Sequence, residues 1–250
     1  MEHWMRTADY WLQIVNYLVW FPLIVLVISA ALRAGVRRYP LVFACTVVVL
    51  LTAVAQVPTS VAFHRGRQAV PETGQWYQVL HAVSQGIYYP LTLVTVANLI
   101  YKASAKITAR HLIRRVLMAG VPLFVLVSFA IHYNSHVQVV QWMTPLTRDV
   151  TFCATVLDLV LWALLLASPE RDHTLLLLAG GFGINFAGDA ICDALRSIAL
   201  RIWWYPVWAS ADLLAVMSNI GWLYIWWQAL RRAQEPVKEI PAYSNHVATK

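Results

Sequence analysis

The chain has 250 residues, is 60% hydrophobic and carries only 12% charged residues, where a soluble domain carries about 25%. That composition, with a mean hydropathy of +0.59, excludes an ordinary soluble domain and points to a single polytopic membrane domain. The formal net charge of +7 would suggest nucleic acid in a soluble protein. Here the positives cluster at helix ends, where lipid headgroups and insertion topology account for them, and no nucleic-acid partner is expected.

About 20 apolar residues cross a bilayer. Segments near 10–32, 41–63, 79–101, 114–132, 146–168, 174–197 and 205–230 qualify. The fold class expected is an all-α, polytopic seven-transmembrane-helix bundle forming one domain over residues 1–232. The polar, Pro-broken stretch 233–250 is expected to be a disordered cytoplasmic tail. The first segment is too long for a signal-peptide core, and basic residues follow rather than precede it, so no cleavage is expected.

The first segment offers Tyr10, Gln13, Tyr17 and Trp20, with Asn16 beside them. The second offers Thr52, Gln56 and Thr59. In the third, Gln78, His81, Gln85, Tyr88, Thr92 and Thr95 alternate steps of three and four, a continuous seam on one helical face. The fourth has little beyond Ser128 and His132, so it is expected at the periphery. Arg148, Thr151, Thr155, Asp158 and Trp162 repeat the seam in the fifth. Pro22, Pro58, Pro90 and Pro122 can each free a backbone carbonyl and kink a helix.

The sixth segment, Leu175 to Ser197, reads LLLLAGGFGINFAGDAICDALRS. At about 100° per residue, Asn185, Asp189, Cys192, Asp193 and Arg196 share one arc. Gly180, Gly183, Ala187, Ala190 and Ala194 share the other. A lipid-facing helix wants neither arc, so a central helix is expected, closely packed on its small side and lining something polar on the other. Asp212 and Asn219 lie two turns apart on the seventh segment.

Lys and Arg divide thirteen to six between the two sides of such a bundle. The richer side is cytoplasmic by the positive-inside rule, which places the N-terminus outside and the C-terminus in the cytoplasm. Trp76, Tyr77, Trp142, Trp203, Trp204, Tyr205 and Trp208 gather at the outer boundary, and Tyr39, Tyr101, Trp226 and Trp227 at the inner one, as aromatic belts do.

Ser, Thr, Asn and Gln in membrane helices commonly serve only as interhelical hydrogen bonds. An acid is different, because a charge at mid-bilayer costs at least about 2.5–3.5 kcal/mol. Asp158, Asp189, Asp193 and Asp212 therefore need partners, protons or water. The expected site is an outward-facing polar pocket for a ligand or ion, formed by Asp189, Asp212, Asp193, Asn185, Gln85, His81, Tyr88, Gln56 and Asn16. Asp158 is the candidate for proton coupling. An ion pair within the bundle is the competing account of the acids, with Arg196, Arg148 or Arg201 as partner. His64, His81, His132 and His136 lack an HExxH or CxxCH context, and no metal or cofactor is expected. Asp158 and Asp189 differ in depth by about 9 Å from the helical rise, too far for a shared-proton dyad.

The run Leu32-Arg33-Ala34-Gly35-Val36-Arg37-Arg38-Tyr39-Pro40, the Tyr-rich third segment and the Gly-rich start of the sixth resemble uncharacterised seven-helix integral membrane proteins encoded in bacteria, Acidobacteria among them. The resemblance implies the topology and a multi-pass place in the bacterial inner membrane. It brings no site residues. The function expected is non-enzymatic: a ligand-binding or sensory membrane protein embedded in the lipid bilayer. Its partners would be an unknown small ligand or a partner membrane protein reached through the basic loop Lys102 to Arg115. The alternatives are a small-solute or proton-coupled transporter, and a structural subunit of a membrane complex.

Overall fold

The computed structural model describes the backbone of residues 2–34, 36–64, 71–104, 110–134, 139–167, 172–202 and 205–233. Side chains at 2–13, 58–64, 71–78, 81, 110, 140, 200–202 and 205 lie outside the described set. The expected C-terminal tail, 234–250, lies outside it too.

The described residues form seven helices: α1 Glu2–Ala34, α2 Pro40–His64, α3 Pro71–Ala103, α4 Arg110–His132, α5 Val139–Ala167, α6 His173–Ile202 and α7 Tyr205–Arg232. Several overrun the apolar segments, α1 and α3 by about two turns at their starts, because a helix continues past the stretch that hydropathy can see. Pro22, Pro90, Pro122 and Pro145 sit inside continuous helices.

Among the described residues, six helices are long and apolar enough to cross a membrane: α1, α2, α4, α5, α6 and α7. The outward surface supports the same conclusion. Leu18 is 72% exposed and Phe152 71%, and Leu126, Ile131, Met118 and Leu159 are similarly bare. Soluble proteins rarely present apolar surface on this scale. The chain is a multi-pass membrane protein.

The expectation of seven apolar spans differs at α3, which is 33 residues long but not among the six. Its polar seam lowers its hydropathy, and its position explains why that is tolerable. α3 packs against α2, α4, α5 and α6, and Leu93, Val96, Leu99 and Ile100 on it are fully buried. Little of its described surface faces outward.

Pairwise packing closes a ring of α1, α2, α3, α5, α6 and α7, with α7 returning to α1 and α3 reaching across to α6. α4 sits outside the ring against α3 and α5. Cross-helix pairs show neighbours running antiparallel: Cys45 with Thr95 and Gln56 with Ser84 for α2–α3, Cys192 with Ala211 and Ser218 with Ile184 for α6–α7.

The sixth helix is the most buried of the six apolar helices and packs against α3, α5 and α7. It is one staple of the ring, and its most extensive partner is α7. The close approach comes through Gly181, against the Trp226 indole, and Gly188, against Ser218. Gly180 and Gly183 meet Trp162 and Asp158 of α5. Beyond them the same small face, at Ala187, Ala190 and Ala194, is exposed.

Trp226 also departs from expectation. It is buried rather than part of a belt, with Nε1 donating to the Leu178 carbonyl at 3.1 Å and its ring edge-on to Phe182 and Trp222. Gly181 has no side chain to hold it off. With Phe186, Leu161, Leu178, Leu223 and Leu230, these rings fill the half of the bundle nearer the α7 C-terminus, the basic end.

Candidate functional site

Many of the polar seam residues are satisfied within their own helices. Thr92, Thr95, Thr151 and Thr155 each donate to the carbonyl four residues back at 2.7–2.8 Å, as Thr46 does on α2 outside the seams. Such back-bonding lets a hydroxyl sit in an apolar helix without seeking a partner elsewhere. It accounts for the lower part of the α3 seam and for the Thr residues of the α5 seam.

A second group converges on one place. A cavity of about 230 Å³ opens between α1, α2, α3, α6 and α7, lined by Trp20, Thr52, Gln56, Ser84, Gln85, Tyr88, Tyr89, Asn185, Asp189, Asn219 and Trp222. It lies near the middle of the helices, on the far side of the aromatic core from the basic end.

The lining is held in place by bonds between helices. Gln56 of α2 donates to the Ser84 hydroxyl of α3. Asn185 of α6, 4% exposed, donates to the Tyr88 hydroxyl of α3 at 3.1 Å. Tyr89 of α3 and Asp189 of α6 both border the cavity. On α7, Trp222 Nε1 donates to Asn219 Oδ1 at 3.3 Å. Each bond is worth under about 1 kcal/mol in a membrane. Together they fix the orientation of the amides and hydroxyls that face the cavity.

Of the site residues expected from sequence, the structure brings Asp189, Asn185, Gln85, Tyr88 and Gln56 to this cavity. His81 lies outside the described side chains. Asn16 sits one turn from Trp20 on α1, but it is not in the lining, and its buried Oδ1 has no hydrogen-bond partner.

Asp212 and Asp193 depart from the expectation. Asp212 accepts two bonds from Arg196, from Nη2 at 2.7 Å and Nε at 3.2 Å, which makes it an α6–α7 lock rather than a lining residue. The Asp193 side chain is 80% exposed and touches Arg196 only at 3.8 Å. Asp193 follows Asp189 by four residues, a rotation of about 40°, which carries it off the inner arc toward the bare face at Ala190 and Ser197. Arg196, rather than Arg148, is the cation that answers these acids, and the Arg201 side chain lies outside the described set.

Asp158 is 2% exposed and also stands apart from the cavity. It is pressed against Gly183 of α6, and its Oδ1 has no partner.

Sequence reasoning missed Ser84, Tyr89 and Trp222 in the lining, and Asp149 elsewhere. Ser84 and Tyr89 lie one residue off the seam marked by Gln85 and Tyr88, so a wider arc at the same spacing would have included them. Asp149 accepts from Ser128 at 2.9 Å and pairs with His132 at 2.8 Å, tying α4 to α5. The expected α5 seam ran through its neighbour Arg148, which is exposed.

Chemically, the cavity presents one carboxylate, several neutral donors and acceptors, and four aromatic rings. Comparison of the chain with protein-family models, with curated proteins and with solved structures finds no match in any of the three.

Proposed function

We propose that the protein is a non-enzymatic membrane protein that holds a small ligand inside its helix ring, in a ligand-binding or sensory role. The observation that carries this reading is convergence. Five helices contribute polar or aromatic groups to one cavity, and those groups are cross-braced by Gln56–Ser84 and Asn185–Tyr88. Simple packing needs no such hollow, since close-packed interiors leave few voids larger than a water. A concave site with a few convergent polar groups is the usual form of a small-molecule site.

On this reading α3 completes a seven-span bundle, with the N-terminus outside and the basic end in the cytoplasm of a bacterial cell. The ligand enters from the exterior end. The apolar packing around Phe182, Phe186 and Trp226 supports closure of the other end. A signal would pass to a partner membrane protein at the basic loops.

A proton-coupled small-solute transporter is the second reading. Asp158 favours it, as a buried acid with an unpartnered oxygen on the helix pair next to the cavity.

The test is ligand-dependent thermal stabilisation of the full chain in nanodiscs against a panel of small solutes. Asn185→Ala and Gln56→Ala should abolish the effect of any solute that stabilises the native chain, while Asp149→Asn should not. Stabilisation that survives both cavity variants would overturn the reading. Uptake of the same solute into proteoliposomes, lost in Asp158→Asn, would favour transport.

A further inference from the structure

We infer that the cavity selects a small organic cation, an ammonium or quaternary ammonium compound. The inference rests on the proposed reading of the cavity as a ligand site, and deepens it. Three features of the lining carry it.

The first is charge. Asp189 is the acid among the described lining residues, and none of them is Lys, Arg or His. The neighbouring cation, Arg196, is spent on Asp212 and, at longer range, on Asp193. Among the described residues Asp189 has no salt bridge. An intramembrane carboxylate is costly without a counter-charge, and a cationic ligand supplies one. An anionic ligand would add a second uncompensated charge to the same hollow.

The second is the aromatic surface. Trp20, Tyr88, Tyr89 and Trp222 come from three helices and all border the cavity. Ring faces attract cations, Trp most strongly, and surround quaternary ammonium groups in aromatic cages. An inorganic cation is better served by a tight shell of oxygens. A methylated or alkyl ammonium, weakly hydrated and greasy at its rim, suits rings plus one carboxylate.

The third is size. The cavity of about 230 Å³ falls below the roughly 300–1,000 Å³ of sites for drug-sized ligands. It is also far larger than the about 30 Å³ share of a single water. A ligand of several heavy atoms fits.

The experiment uses the full chain in nanodiscs and four probes of similar size. Tetramethylammonium and choline are the cations, 3,3-dimethyl-1-butanol is choline's neutral carbon isostere, and 3,3-dimethylbutanoate is the anion. Binding is read by tryptophan fluorescence and by thermal shift. The expected result is saturable binding of both cations, with the alcohol weaker by roughly tenfold or more and the anion not bound. Asp189→Asn should weaken choline by at least about tenfold, and Trp20→Leu by about fivefold or more. If Asp189→Asn fails to fold, the choline-to-isostere ratio on the native chain and Trp20→Leu still decide the matter. Equal affinity for the alcohol or the anion, or choline binding indifferent to both variants, would overturn the cation inference and leave a ligand site standing. Saturable binding by none of the four probes would overturn the cation inference. Failure of the wider solute panel as well would remove the ligand reading beneath it.

Discussion

Arg196 of α6 reaches Asp212 of α7 with two nitrogens on a single carboxylate oxygen, at 2.7 and 3.2 Å. The pair is partly shielded, and Asp193 adds a weaker contact on the exposed side. Removing one member leaves the other charge without its partner, so Asp212→Asn and Arg196→Gln should each destabilise the chain by about 1–3 kcal/mol. The double variant should be less destabilised than the sum of the singles, with a coupling of about 0.5–3 kcal/mol. A thermal double-mutant cycle in nanodiscs measures this. Strict additivity would mean that the pair contributes no coupling between α6 and α7.

The α6–α7 contact also depends on two glycines. A Cβ at Gly188 would lie 2.0 Å from the Ser218 hydroxyl oxygen and 2.5 Å from its Cβ, and one at Gly181 would lie 2.4 Å from the Trp226 ring. Neither neighbour can swing aside: Ser218 is bonded to Ile184 and Trp226 to Leu178. Gly188→Ala and Gly181→Ala should therefore each cost about 1–3 kcal/mol by overpacking. Gly120 on α4 has nothing within 4 Å of a built Cβ. Gly120→Ala should be neutral or stabilising by about 0.4–1 kcal/mol, because it narrows the unfolded ensemble. Thermal unfolding of the three variants ranks them, and a stable Gly188→Ala would contradict the close approach.

Helical spacing is arithmetic, and it put Gln85 with Tyr88 and Asn185 with Asp189 on shared faces before any contact was known. Both pairs line the cavity. Spacing cannot say how far a helix is rotated about its own axis. The 40° between Asp189 and Asp193 separates a lining group from one that faces outward. Partners across helices were equally hidden. That Trp226 lies on Gly181, or that Arg196 answers Asp212 rather than Asp189, depends on how α6 and α7 approach, and no local pattern encodes that. The segment at α3 reads in the sequence as a seventh apolar span, but its polar seam leaves it outside the six helices apolar enough to cross a membrane.

Asp158 gives a prediction that separates cost from use. Its carboxyl is buried against Gly183 with Oδ1 unpartnered, an arrangement that costs stability. Asp158→Val is close in size and removes the orphan oxygen, so the melting temperature should rise, by about 1 kcal/mol or more in stability. Ligand affinity should not change, because Asp158 does not border the cavity. A fall in stability would show that the carboxyl makes a favourable contact that outweighs its burial.

α4 lies outside the ring, and much of its surface faces outward. Its polar attachment is the Ser128–Asp149–His132 cluster, backed by Phe129 and Tyr133 packed edge-on against Trp142. Asp149→Ala removes the acceptor shared by both donors and leaves them unpaired. Stability should fall by about 1–3 kcal/mol. The loss should be local, because none of the described α4 residues lines the cavity. Hydrogen exchange should rise at the end of α4 around Ser128 to His132 and stay unchanged in α6 and α7, a sub-global opening of the least supported helix. Exchange that rose equally throughout the ring would show that α4 braces the whole bundle rather than leaning on it.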